Sequence, residues 1–124
     1  MFDRFMIVED SLRRTGDGFE FDIRIPYYRG IALSMIEALE VTVDGQTVPR
    51  DAVTFVLRGK GLSHDELEQD AQTRWEFGEP ATLRVAWPGG LDRGEHAIGQ
   101  ATQLRISYLP APLRGQDEKT LAAA

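Results

Sequence analysis

Along much of this chain, apolar side chains recur at every second position, the period of a strand with one buried face. The clearest case is Phe19-Glu20-Phe21-Asp22-Ile23-Arg24-Ile25. Its apolar side chains fall on one face and its charges on the other, and Pro26 ends it. Phe5-Met6-Ile7-Val8 predicts a preceding strand, and Thr15-Gly16-Asp17-Gly18 the turn before Phe19. Leu39, Val41 and Val43 alternate with Glu40, Thr42 and Asp44. Asp44-Gly45 then predicts a tight hairpin, because both central positions of a type I′ turn need positive φ. Gln46-Thr47-Val48 returns, and Val53–Arg58 is the next strand, closed by Gly59-Lys60-Gly61.

Only one helix is predicted. Ser63 can cap and Glu66 can answer it, so Ser63–Gln69 makes one or two turns in a connection. Trp75-Glu76-Phe77, Thr82–Trp87, Glu95–Ile98 and Gln103–Leu109 read as the remaining strands. Turn signals recur about every 8–12 residues, the spacing of an all-β fold built as a β-sandwich or jelly roll. A single layer could not cover these apolar stripes, so two packed antiparallel sheets are expected. The boundaries predicted are one β-sandwich domain over 1–110 and a flexible tail over 111–124, where prolines give way to small and charged residues with no apolar face.

Composition narrows the function classes. At 124 residues and 42% hydrophobic, the chain holds enough apolar side chains for one ordinary core. Its net charge of −6 repels phosphate backbones and anionic bilayers, so neither nucleic acid nor membrane is expected as a partner. With no cysteine, disulfides, thiolate chemistry and Cys-type zinc sites are excluded. The N-terminus lacks the basic start and apolar run of a secretory signal, and a cytoplasmic location is expected.

No complete catalytic or metal-binding motif appears. His64 sits among charges and reads as a solvated imidazole. His96 follows Glu95, but neighbours on a strand point to opposite faces, so the pair makes a poor acid/base couple. No H-x-H or H-E-x-x-H pairing exists for a cupin-like metal centre. Asp65, Glu66, Glu68 and Asp70 lack the ligand alternation and glycine of an EF-hand loop and read as a solvated helix face. Arg58-Gly59-Lys60-Gly61 fails as a phosphate loop at two positions and reads as a turn with a solvent-facing lysine. No serine stands in a G-x-S-x-G setting. Catalytic and metal-ligating residues are therefore expected to be none.

One connection stands apart. Ile25–Glu37 is neither alternating nor polar, yet carries two tyrosines, an arginine and a methionine. Connections normally expose side chains, and Tyr, Arg and Met are enriched at interfaces. Tyr27, Tyr28, Arg29 and Met35 are the candidates for a partner interface or a pocket lip; the competing reading tucks the crossover against the core edge. Trp75 and Trp87 read as core side chains.

Three blocks carry a resemblance. Met1-Phe2-Asp3-Arg4 with Ile7–Arg13 is the first, Gly18–Gly30 the second, and Leu33–Glu37 with Val43-Asp44-Gly45 the third. Weaker likeness continues through Trp75, Trp87–Leu91 and Ile106-Ser107-Tyr108. Together they resemble the small β subunit of bacterial C-glycoside deglycosidases. The resemblance implies a β-sandwich acting as an accessory subunit in a hetero-oligomer. Its partner would be an isomerase-like barrel, the α subunit, which holds a divalent metal of manganese or magnesium type and the acid/base residues; no cofactor is expected in this chain. The assembly would act as a lyase on 3-oxo C-glycosides, as in flavonoid C-glycoside catabolism. It would cleave the bond between sugar and aromatic aglycone by C2 deprotonation and β-elimination. Two other readings stay open. A free-standing carbohydrate- or aglycone-binding module predicts exposed, coplanar Trp75 and Trp87. A small self-contained enzyme built on His96 and a carboxylate predicts activity without a partner.

Overall fold

The alternating stripes fold into strands that bury them between two sheets. The computed structural model describes residues 2–123; Met1 of the first block and Ala124 of the expected tail lie outside them. The strands in chain order are β1 (Arg13–Arg14), β2 (Gly18–Ile23), β3 (Ile31–Ala32), β4 (Ile36–Val43), β5 (Gln46–Thr47), β6 (Val53–Leu57) and β7 (Lys60–Leu62). After the single α-helix α1 (His64–Glu68) come β8 (Arg74–Trp75), β9 (Ala81–Ala86), β10 (Gly94–Leu104) and β11 (Leu113–Ala123). One sheet runs β1-β2-β9-β6-β7, the other β11-β10-β4-β5, and β3 pairs with β8 in a ribbon. All pairings are antiparallel.

The core lies between the sheets. Phe19, Phe21, Phe55, Leu83 and Val85 of the first meet Leu39, Val41, Val43, Ile98 and Leu104 of the second in one cluster. Trp75 is fully buried, edge-on to Phe55 at 5.2 Å between ring centroids, and its indole N–H donates to the Glu79 carbonyl at 2.8 Å. Trp87 is half-buried, edge-on to Phe19. The all-β sandwich and the core placement of the tryptophans match the sequence reading.

Local signals hold where they are self-contained. Asp44 and Gly45 have φ of 49° and 82°, and Arg58 and Gly59 repeat the pattern at 49° and 84°. The capping box closes at both ends: Glu66 N donates to Ser63 Oγ at 3.2 Å, and Ser63 N to Glu66 Oε1 at 2.9 Å.

Three expectations are corrected. Phe5–Val8 is not a strand. Asp3–Phe5 forms a 3₁₀ turn, and Ile7 makes one isolated bridge to Ile23. Met6 and Ile7 are both buried because this segment laces the sheets together: Arg24 N donates to Met6 O, and Ile7 N to Asp117 Oδ2. An unbroken apolar run carries no face, so periodicity alone could not separate this crossing from a strand.

Glu95–Ile98 and Gln103–Leu104 are one strand, β10, and Arg105–Leu109 leaves the sheet in a turn closed by Leu109 N to Ile106 O at 3.0 Å. The intervening Gly99-Gln100-Ala101-Thr102 looks like a break, yet it is buried throughout because β10 is central, flanked by β4 and β11. Gln100 and Thr102 face the core and satisfy each other: Thr102 Oγ1 donates to Gln100 Oε1 at 2.9 Å, and the Gln100 amide to Ala101 O at 2.8 Å.

The expected flexible tail over 111–124 is instead largely β11, paired with β10 from Leu104↔Leu113 to Gly94↔Ala123. Leu121 and Ala123 enter the core, and Gly115 lies against Pro26 and Met6. Two inward positions are charged, Asp117 and Lys119. They pair with each other, Asp117 also takes the Ile7 amide, and Lys119 donates to Arg4 O. These charges interrupt the apolar alternation that would have announced the strand.

Candidate functional site

The two histidines are structural. His64 opens α1 and is buried, not solvated as expected. Burial holds its pKa below the ordinary histidine value, with the Arg50 charge acting the same way. His96 is held at both nitrogens, Nδ1 to Asp44 Oδ2 at 2.7 Å and Nε2 to Asp92 O at 2.8 Å. The Asp44 hydrogen bond raises its pKa, and His96 in turn lowers that of Asp44. A ring bonded at both nitrogens has no free site for a substrate proton, which counts against the self-contained enzyme.

The acidic run is occupied as well. Asp65 and Glu68 pair with Arg50, Glu66 caps α1, and Asp70 accepts the Gln72 and Thr73 amides. Among the described residues, no three His, Asp or Glu side chains are grouped to hold a metal ion. Trp75, buried in the core, offers no ring face to a ligand, which counts against the free-standing binding module.

The distinctive surface lies at the end of the sandwich where β10 finishes and the Ile25–Gly30 connection passes. Tyr27 is buried, at 6% exposure, whereas Tyr28 and Tyr108 are exposed, at 47% and 62%. Their hydroxyls converge. Tyr27 OH is hydrogen-bonded to Tyr108 OH, which lies 3.3 Å from Tyr28 OH. The Tyr27 and Tyr28 rings pack at 4.7 Å, and the Arg29 guanidinium lies 5.2 Å from the Tyr28 ring centroid. A cleft of about 280 Å³ opens among Phe2, Tyr27, Tyr28, Tyr108 and Leu113.

Phe2 carries this surface onward. Its ring meets Phe77 edge-on at 5.3 Å, and together with Phe5 and Arg24 they line a second cleft of about 370 Å³. Phe5 and Phe77 are 48% and 51% exposed, and the Arg4 guanidinium lies over Phe5 at 4.9 Å. All four large hydrophobic side chains exposed among the described residues, Phe5, Tyr28, Phe77 and Tyr108, line these two clefts.

The arginines divide by whether a carboxylate meets them. Arg13, Arg58, Arg84, Arg105 and Arg114 each have a carboxylate partner, at Asp22, Glu79, Glu20, Glu37 and Glu40 respectively. Arg4, Arg24 and Arg29 have none among the described residues.

Of the four interface candidates, the structure brings Tyr27, Tyr28 and Arg29 together, with Tyr27 as a buried support rather than a contact side chain. Met35 is excluded from the cluster: it packs against the core, and its carbonyl accepts Arg105 N at 2.8 Å. Sequence reasoning missed Phe2, Phe5, Phe77 and Tyr108. Tyr108 lies 80 positions from Tyr28, and no spacing rule connects them.

Residues 2–108 match the family described as C-glycoside deglycosidase beta subunit. The chain belongs to this family. A C-glycoside deglycosidase beta subunit from Eubacterium cellulosolvens is 38% identical over 93 residues, which is 75% of this chain and 63% of that relative. A 3'-dehydrocarminate deglycosidase beta subunit from a Microbacterium species is 36% identical over 111 residues, 89% of this chain and 83% of the relative. A beta subunit from Arthrobacter globiformis is 27% identical over 108 residues, covering 86% and 82%. Membership as a beta subunit implies a partner subunit in a hetero-oligomer. Every residue of the aromatic end named above except Leu113 lies in the matched stretch, whereas β11 lies beyond it. No helix among the described residues is long and apolar enough to cross a membrane.

Proposed function

We propose that this chain is the accessory subunit of a lyase that cleaves the carbon–carbon bond between an oxidised sugar and an aromatic aglycone. The single observation carrying this reading is membership of the beta-subunit family over 2–108. The relative named for 3'-dehydrocarminate supports a sugar already oxidised at C3. A ketone at C3 acidifies the hydrogen on C2. A base removes that proton, the C2–H electron pair becomes the C1=C2 double bond, and the C1–aryl pair leaves with the aglycone carbon, which takes up a proton.

The described residues do not fit a metal site, His96 is bonded at both ring nitrogens, and His64 is buried. On this reading the divalent metal and the base belong to the larger subunit, an isomerase-like barrel, and the complex to the cytoplasm. This chain's share is to dock against the barrel and help exclude water from the reaction.

Co-expression with a candidate isomerase-like barrel subunit tests the reading. The expected result is a single peak on a sizing column, active on a 3-oxo C-glucoside only when both chains are present. A lone 13.9 kDa monomer that ignores the barrel overturns it.

A further inference from the structure

The aromatic end supports a more specific statement, which rests on the accessory-subunit reading. We propose that the surface formed by Phe2, Phe5, Phe77, Tyr28 and Tyr108, with Arg4, Arg24 and Arg29, is the docking face for the larger subunit, and that the face it meets is apolar and studded with carboxylates.

Charge is the first argument. The chain carries −6 overall, yet three guanidiniums at this end have no carboxylate partner among the described residues. The nearby carboxylates are engaged elsewhere: Glu40 holds Arg114, Glu76 pairs with Arg74 while packing over Gly30, and Asp3 accepts the Gln116 amide. The Arg4 and Arg29 guanidiniums lie over the Phe5 and Tyr28 rings, 4.9 and 5.2 Å from the ring centroids. A guanidinium held over a ring by its charge keeps N–H groups available to a bidentate acceptor.

The tyrosine hydroxyls supply a second, independent argument. Three O–H groups make two mutual hydrogen bonds, so one donor is left over. An unmet donor in the interior is costlier than an unused lone pair. Whichever partner donates in each bond, one tyrosine O–H of this cluster stays free of the other two, close to Arg29. Donor and cation together select an anionic acceptor, such as a carboxylate, rather than another donor. The surrounding exposed rings supply apolar area of the kind that interface centres use.

The test uses the co-purified complex. The variants are Arg4→Glu/Arg24→Glu/Arg29→Glu together, Tyr28→Phe alone, and Arg93→Glu as a control. Arg93 also lacks a carboxylate partner among the described residues but precedes β10, about 33 Å along that strand from its far end. The triple variant is expected to weaken association by about a hundredfold or more and to flatten its salt dependence. Tyr28→Phe is expected to weaken it several-fold, and Arg93→Glu to match wild type. Unfolding midpoints of the isolated variants within a few degrees of wild type exclude misfolding as the cause. Wild-type binding by the triple variant, an equal loss in Arg93→Glu, or a second copy of this chain occupying the face in place of the larger subunit overturns the inference. Absence of any wild-type complex overturns the accessory-subunit reading itself, a separate outcome.

Discussion

At the scale of single residues, the two histidines work against each other in pH. The Asp44 bond raises the pKa of His96, so the folded chain holds its proton more tightly than the unfolded one. This stabilisation is complete below the ordinary value of 6.5 and is lost as pH climbs through the raised value. Asp44, lowered by the same bond, stabilises above the ordinary 3.8 and stops doing so as pH falls through its lowered value. The clamp is therefore strongest between those two ordinary values. His64, lowered by burial, acts oppositely: its contribution is present above 6.5 and is lost as pH falls. Replacing His96 by Gln should make stability fall more on going from about pH 8 to about pH 5.5 than it does in wild type. Thermal unfolding at the two pH values reads this directly, and coincident profiles would show that the clamp does not titrate with folding. None of this was legible locally. Asp44 and His96 stand 52 positions apart, and the charges around His64 hide its burial against the core.

Elements were legible wherever their signal was contained within them. The alternation of β2, β4, β6 and β9, the Asp44-Gly45 hairpin and the α1 capping box all follow from neighbours in sequence. β10 and β11 did not announce themselves, because a central strand flanked at both edges can carry small residues such as Gly99 and Ala101 outward and satisfied polar ones inward, and an inward charge can be satisfied by a distant backbone. Gly115 tests this account of β11. A Cβ there would fall inside contact distance of the Pro26 ring, and neighbouring Met6 is already fully buried. Gly115→Val should cost about 1–3 kcal/mol by overpacking, measured as a lower denaturant midpoint with an unchanged slope. A mobile tail would tolerate the change without effect.

At the scale of the whole molecule, what matters is how the exposed aromatic area is distributed. Phe5, Phe77, Tyr28 and Tyr108 come from four separate segments outside the strands and share one end of the sandwich. The isolated chain should therefore bind an anilinonaphthalene dye, and addition of the larger subunit should displace it. Exchanging both Phe5 and Phe77 for Ser should remove most of the dye signal while changing stability by no more than about 0.5 kcal/mol, since both rings already stand half in water. An undiminished signal would place the accessible apolar surface elsewhere.

The sequence by itself determined the fold class, the Asp44-Gly45 turn, the helix cap, the core placement of Trp75 and the family likeness, because each rests on residues close together in the chain or on an apolar period that only burial explains. Tertiary structure alone decided that the last segment is a strand, that His64 is buried, that Met35 stands apart from Tyr27, Tyr28 and Arg29, and that Tyr108 completes their cluster. Those outcomes depend on which distant group meets each polar atom and which surface each ring covers, and such pairings exist only once the two sheets have closed on one another.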